Sequence, residues 1–200
     1  EPPHDVRDMV LFLMRQPAAD QMGPHGRLRR ALDYLAWRID QVNQRRAASR
    51  NVRHHYDLTR AFYELFLDED RQYSMAYFRD PANILERAQL DKKALIAAKL
   101  ALEPGKAAGM RVLDIGGGWG GLALYLNRHY GVEVMGVSLA PDQVRFANER
   151  AEAAGVADKV RFELIDYRDV AGQFDRITSV GMIEHVGAPN YREYFAKTHD

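Results

Sequence analysis

Asp114 sits inside a short apolar run, Val112 to Ile115, and five of the six residues that follow are glycine (GGGWGG, 116–121). A carboxylate followed by bare backbone can bind a small molecule. Glycine leaves the peptide N–H groups open and lets a ligand lie against the main chain. Gly116, Gly118 and Gly121 satisfy G-x-G-x-x-G between an expected strand and an expected helix, the setting in which that spacing marks a cofactor site. Two ligand chemistries compete with a plain strand-to-helix turn: a nicotinamide or flavin dinucleotide, and S-adenosylmethionine. A dinucleotide fold carries Asp or Glu about 20 residues further on, for the ribose hydroxyls. Here the second apolar run ends Val137-Ser138-Leu139, without an acid. A carboxylate aimed into the crevice repels a pyrophosphate and attracts an ammonium or sulfonium. The balance favours S-adenosylmethionine, which carries no phosphate.

Other polar residues fall at the ends of later apolar runs. Ser138 and Gln143, in SLAPDQ (138–143), either hydrogen-bond a ribose or serve the start of a helix. IDYRD (165–169) ends a third run, where an adenine edge or an ordinary surface loop would lie. Glu184-His185 reads as an acid–base pair or as a helix-start carboxylate. Tyr56, Phe62, Tyr63, Tyr73, Tyr77 and Phe78 crowd one stretch and offer either cation-stabilising faces or simple packing.

The elements that would position these residues follow from periodicity. From Met110 onward the pattern predicts strands over 111–115, 132–137, 159–165 and 175–180, and helices over 119–130, 141–154 and 190–199. Continuous apolar strands alternating with helices specify an α/β, Rossmann-like parallel sheet covered on both faces. Right-handed crossovers then gather the loops after the strands on one edge, where ligands bind. Upstream, Asn83 and Glu86 have capping-box spacing ahead of a helix to about Leu102, closed by Pro104-Gly105. Asp57 or Thr59 can cap a short helix carrying Phe62, Tyr63 and Phe66. Leu28, Leu32, Leu35, Ile39 and Val42 share a helical face, and Pro17 and Gly23-Pro24 break that region. Three regions result: helical 1–50, an aromatic-rich helical cap over 51–105, and the sheet over 106–200.

Lys+Arg and Asp+Glu both number 28, so no net field draws nucleic acid. Cysteine is absent, which removes disulfides and thiolate chemistry and fits a cytoplasmic setting. No apolar run reaches membrane-spanning length, and the opening EPPHD has no secretory pattern.

The strings HHYDL (54–58), YSMAYF (73–78), VLDIGGGWGG (112–121), DYRD (166–169) and FDRITSVGMIEHVG (174–187) resemble the cyclopropane-fatty-acyl-phospholipid synthases and the related mycolic acid methyltransferases. The resemblance covers about residues 50–200. It implies the class I S-adenosylmethionine-dependent methyltransferase fold. It also implies transfer of a methyl or methylene group to the cis double bond of an unsaturated phospholipid acyl chain, with a bound bicarbonate removing a proton as the ring closes. By resemblance, Gly116 and Gly118 contact the methionine part of the cofactor beside Asp114. Tyr73 and Ser74 close over it, Ser138, Leu139 and Gln143 hold the ribose side, and Asp166, Tyr167 and Arg168 lie near the adenine. Gly181 and Glu184 sit at the bicarbonate, as does the backbone of Met75. No metal is implied.

Two positions depart from the family pattern: Met75 and Gly117 stand where relatives have cysteine. Met75 keeps open a related methyltransferase giving methyl- or methylene-branched chains. A dinucleotide-binding oxidoreductase is the alternative from another class. The resemblance implies further strands, and the family's remaining bicarbonate ligands, beyond residue 200, so these 200 residues on their own are expected to be inactive. The substrate implies contact with a membrane from its cytoplasmic face, for which the Leu28–Val42 helix and arginines 45, 46, 50 and 53 are candidates. A homodimer is compatible with this reading.

Overall fold

The computed structural model describes residues 60–199 and, before them, Leu32 alone. The expectations for the Leu28–Val42 helix, the arginines at 45 to 53, the HHYDL string, Tyr56 and the caps at Asp57 or Thr59 lie outside the described residues. Two compact units divide the chain, Glu1–Val42 and Asn43–Asp200, and all that follows concerns the second.

Short Val-, Leu- and Ile-rich runs form four parallel strands: β1 (Arg111–Ile115), β2 (Glu133–Ser138), β3 (Val160–Leu164) and β4 (Arg176–Ser179). Their order is β3-β2-β1-β4. Every residue of β1 after Arg111 is buried, as a sheet covered on both faces requires. The two-residue period sorts side chains onto two cores. Val112, Val134, Val160 and Phe162 pack with Leu122, Leu126 and Ala147 on one face. Leu113, Ile115, Met135 and Val137 pack with Tyr167, Val186 and Tyr194 on the other. Because β2 and β3 lie to one side of β1 and β4 to the other, strand order reverses at β1. Such a reversal opens a crevice at the carboxyl ends of the strands.

The helices are α1 (Arg60–Tyr63), α2 (Leu85–Lys99), α3 (Gly121–Tyr130), α4 (Pro141–Ala153), α5 (Ile183–Val186) and α6 (Tyr191–His199), with single 3₁₀ turns at Tyr167–Asp169 and Ala188–Asn190. α1 is one turn long, and Phe66 falls in the turn beyond it. α3 begins two residues later than its apolar pattern suggests, because Gly116, Gly118 and Gly120 have positive φ and hold the chain in a turn. The capping box expected at Asn83 and Glu86 does not form. Ile84 is the N-cap without a side-chain cap, and the Asn83 amide instead reaches Asp91 Oδ2 at 3.5 Å. α2 also buries a polar face, Gln89, Asp91, Lys92 and Lys93, beside Ala88 and Ala97.

Candidate active site

The crevice is a cavity open to solvent at the carboxyl edge of the sheet. Its base is the end of β1, Asp114 and Ile115, and the turn Gly116–Gly118. Asp114 is 2% exposed yet lines the cavity. Burial pushes its carboxyl up to about 7, near its titration point at neutral pH. A cation arriving there would restore the ionised form.

The glycines divide by task. A Cβ on Gly116 would meet nothing nearer than Met182 at 3.8 Å, so its bare face is open to a ligand, and its φ of +83° suits glycine. Gly121, the third glycine of the G-x-G-x-x-G spacing, faces elsewhere. A Cβ there would lie 2.6 Å from Gln72 Nε2 and 3.0 Å from the Asp70 carbonyl oxygen. Gly121 therefore makes room for the cap segment and not for a cofactor. Gly117 packs on Phe162 and Gly136, with a Cβ position 3.3 Å from both.

The walls come from the strand ends. Val137, Ser138 and Leu139 follow from β2, and Gln143 from the first turn of α4. Ser138 Oγ donates to Gln143 Oε1 at 3.4 Å and accepts the Ala140 N–H at 3.2 Å. No carboxylate closes β2, so the ribose acid of a dinucleotide site is absent there. After β3, Asp166 accepts the Arg168 backbone N–H at 3.0 Å and its guanidinium at 2.9 and 2.6 Å. Between them Tyr167 is buried, edge-on to Tyr194 at 5.3 Å.

The cap supplies the last wall, through Arg71, Gln72, Tyr73 and Ser74. Asp70 anchors it: Lys93 from α2 and Arg150 from α4 both pair with its carboxylate, and Arg150 also donates to the Trp119 carbonyl at 3.0 Å. Burial alone would raise the Asp70 carboxyl, but the hydrogen bonds and charges of Lys93 and Arg150 hold it below the usual carboxylate range.

All the cofactor-binding candidates read from the sequence line this one cavity. The catalytic candidates are less uniform. Gly181 lines it. Glu184, on α5, is exposed at its rim, with Oε1 3.8 Å from the position a Gly181 Cβ would take, the same distance as Ser74 Cβ. The Met75 side chain is 92% exposed and does not line the cavity. Of the described aromatic candidates only Tyr73 lines it. Tyr63 is buried behind Tyr73, with ring centroids 5.3 Å apart, and Phe62, Tyr77 and Phe78 are exposed.

Residue patterns did not single out Trp119 or Lys92. Trp119 lines the cavity, is 5% exposed and has a buried indole N–H without a hydrogen-bond partner. Its place inside the glycine turn was the available signal. Lys92 gives none in helical periodicity. Among the described residues no cluster of His, Asp and Glu could hold a metal ion.

A strand-order reversal, a glycine turn open on one side and a buried acid in place of a phosphate cradle define an α/β cofactor-binding domain of the S-adenosylmethionine-dependent methyltransferase class. The chain belongs to the mycolic acid cyclopropane synthetase family, whose model matches residues 43–200. It is 42% identical over 192 residues to the cyclopropane-fatty-acyl-phospholipid synthase of Escherichia coli K12, an alignment covering 96% of this chain and 48% of that protein. It is 38% identical over 164 residues to the tuberculostearic acid methyltransferase UfaA1 of Mycobacterium tuberculosis, covering 77% of this chain and 36% of that protein. The crystal structure of mycolic acid cyclopropane synthase CmaA1 complexed with SAH and CTAB superposes with a TM-score of 0.71 at 34% identity, over 76% of this chain and 52% of that one. The chain thus spans about half or less of the length of these relatives.

Proposed function

We propose that the protein containing this chain transfers a methylene group from S-adenosylmethionine to the cis double bond of an unsaturated phospholipid acyl chain, giving a cyclopropane. The observation that carries the cofactor assignment is Asp114, a buried carboxylate beside an open peptide edge, at a strand end where a diphosphate would be repelled. A relative similar over nearly the whole chain is a cyclopropane-fatty-acyl-phospholipid synthase, which supports the substrate class.

The residues present fit the cofactor. Asp114 would take the ammonium end, the Gly116–Gly118 edge would lie along the methionine part, and Ser138 and Gln143 would hold the ribose. Asp166 and Arg168 orient one another by three hydrogen bonds and would present a fixed polar edge to the adenine. S-adenosylmethionine supplies an electrophilic methyl group. An alkene is a weak nucleophile, so the protein's part is to exclude water and fix the approach. The cap segment 71–74 and the Tyr63–Tyr73 pair would do the excluding. Glu184, Gly181 and the Met75 backbone would hold a bicarbonate, whose chemistry is to accept a proton.

The cofactor reading is tested by calorimetry: S-adenosylhomocysteine is expected to bind and NAD is not. NAD binding with a diphosphate at Gly116 would overturn it. The product is tested by mass spectrometry of lipids from cells expressing the full-length protein. Ring closure and methylene formation both add CH2, so the reactivity of the new carbon must be read as well. A methyl-branched or methylene product would overturn the cyclopropane assignment.

A further inference from the structure

The polar residues buried on α2 converge on one segment of chain. Gln89 donates through Nε2 to the carbonyls of Gln72 at 3.3 Å and Ser74 at 3.1 Å. Lys93 pairs with Asp70. These contacts fix the backbone of the cap. Lys92 is different: 6% exposed, it donates through Nζ to the side chain of Ser74, with 2.7 Å to Oγ. Burying an ammonium is costly, and an apolar side chain would fill the space without that cost. Burial lowers Lys92 to about 8, with Asp68 opposing and Lys93 reinforcing the shift, so it stays mostly charged at neutral pH.

An ammonium has hydrogens to donate and no lone pair. Ser74 Oγ is therefore the acceptor in this bond, and its own hydrogen is free to be donated elsewhere. Ser74 lines the cavity, and its Cβ lies opposite Gly181, where Glu184 Oε1 also approaches. The arginines lining that cavity are committed to carboxylates, Arg71 to Glu64 and Arg168 to Asp166. Lys92 lies behind the cavity wall and gives its hydrogen bond to a hydroxyl instead.

We infer that Lys92 is a positioning residue: it makes the Ser74 hydroxyl a committed donor to an oxyanion bound in the cavity beside Gly181 and Glu184. The inference rests on the proposed reading of the cavity as an S-adenosylmethionine site. The oxyanion has two sources with the same chemistry, the carboxylate of the cofactor's amino-acid end and a free bicarbonate. A bicarbonate would give its own O–H to Glu184, and the ammonium behind Ser74 offsets the negative charge that Glu184 and Asp114 bring to the cavity.

The test uses the full-length protein, its Lys92→Met and Ser74→Ala variants, and the double variant. Calorimetry compares S-adenosylhomocysteine with 5′-methylthioadenosine, which lacks the amino-acid end, and turnover is followed against bicarbonate concentration. If the cofactor carboxylate is the acceptor, Lys92→Met weakens S-adenosylhomocysteine about tenfold and leaves 5′-methylthioadenosine unchanged. If bicarbonate is the acceptor, both affinities hold and the bicarbonate needed for half-maximal turnover rises about tenfold. In both cases Ser74→Ala shows the same selective loss, and the double variant is no worse than either single one, because both act through one hydroxyl. Equal weakening of both analogues, additive losses, or a Ser74→Ala variant with unchanged binding and turnover would overturn the inference, the last even if Lys92→Met does not fold. A wild-type protein that binds neither analogue overturns the cavity reading and this inference with it. A wild type that binds, alongside an indistinguishable Lys92→Met variant, overturns this inference alone.

Discussion

At the scale of single residues the chemistry turns on Asp114. Its carboxyl is raised by burial from 3.8 to about 7, so the folded chain holds a proton that the unfolded chain has lost. The sign follows: Asp114 favours folding most below pH 3.8, and that contribution is lost as pH rises toward 7. A ligand ammonium favours the ionised form and displaces the proton. Affinity for S-adenosylhomocysteine is therefore expected to climb between about pH 5 and pH 7, by close to tenfold per unit at most, with proton uptake by the buffer on binding. Calorimetry in two buffers of different ionisation enthalpy measures both effects, and a flat profile would remove Asp114 from the ammonium. Asp114→Asn keeps the shape and removes the charge. It is expected to weaken S-adenosylhomocysteine by about 2 kcal/mol, roughly thirtyfold, and to abolish the pH slope. The same variant should melt no lower than wild type at pH 8 without ligand, because it removes a charge whose burial is costly.

At the scale of elements the cap and the sheet meet at Gly121. A side chain there would collide with the Asp70 backbone, which cannot yield as the tip of Gln72 can. Gly121→Ala is expected to destabilise by about 1–3 kcal/mol, the range for overpacking. It should also speed proteolysis around residues 68–75 while far-ultraviolet dichroism from the sheet stays intact. Unchanged cleavage would mean the cap does not depend on this contact. Acid should act on the same joint. Asp70 is held below its ordinary range by Lys93 and Arg150, so its contribution is present above pH 3.8 and is lost below it. Much of this architecture is legible in the residues. The strands over 111–115, 132–137, 159–165 and 175–180 fall within a residue or two of the observed ones, because buried parallel strands read as unbroken apolar runs. Asp114, Ser138 and Tyr167 were readable as crevice-lining residues because each lies at or just past the end of a strand, and crossovers place strand ends on one edge. α2 was legible as a helix but its buried face was not. Gln89, Lys92 and Lys93 look like a solvated face, and only the path of residues 70–74 across them makes that face interior. The last glycine of the turn misleads for the same reason, since its neighbour is distant in sequence.

At the scale of the molecule, cofactor site and cap form one linked system. Tyr73 and Ser74 line the cavity, yet they are held from outside it, by Gln89, Lys92 and, through Asp70, by Lys93 and Arg150. A ligand that touches both the Gly116–Gly118 edge and the cap can bind fully only when the cap is docked. It must then favour the docked state by its differential affinity. Hydrogen exchange on the full-length protein tests this. S-adenosylhomocysteine is expected to slow exchange at residues 70–75 as well as at 116–118. In Gly121→Ala, where the cap is loosened, protection at 116–118 should persist while that at 70–75 shrinks. The overall affinity should fall by the fraction of molecules whose cap is docked. The glycine edge and Asp114 would remain a binding surface, and the variant would lose the closure that keeps water out of the cavity. Its turnover should fall further than its affinity. Equal losses in affinity and turnover would assign the cap to binding alone, and full protection of 70–75 in Gly121→Ala would show that cap and site are not coupled.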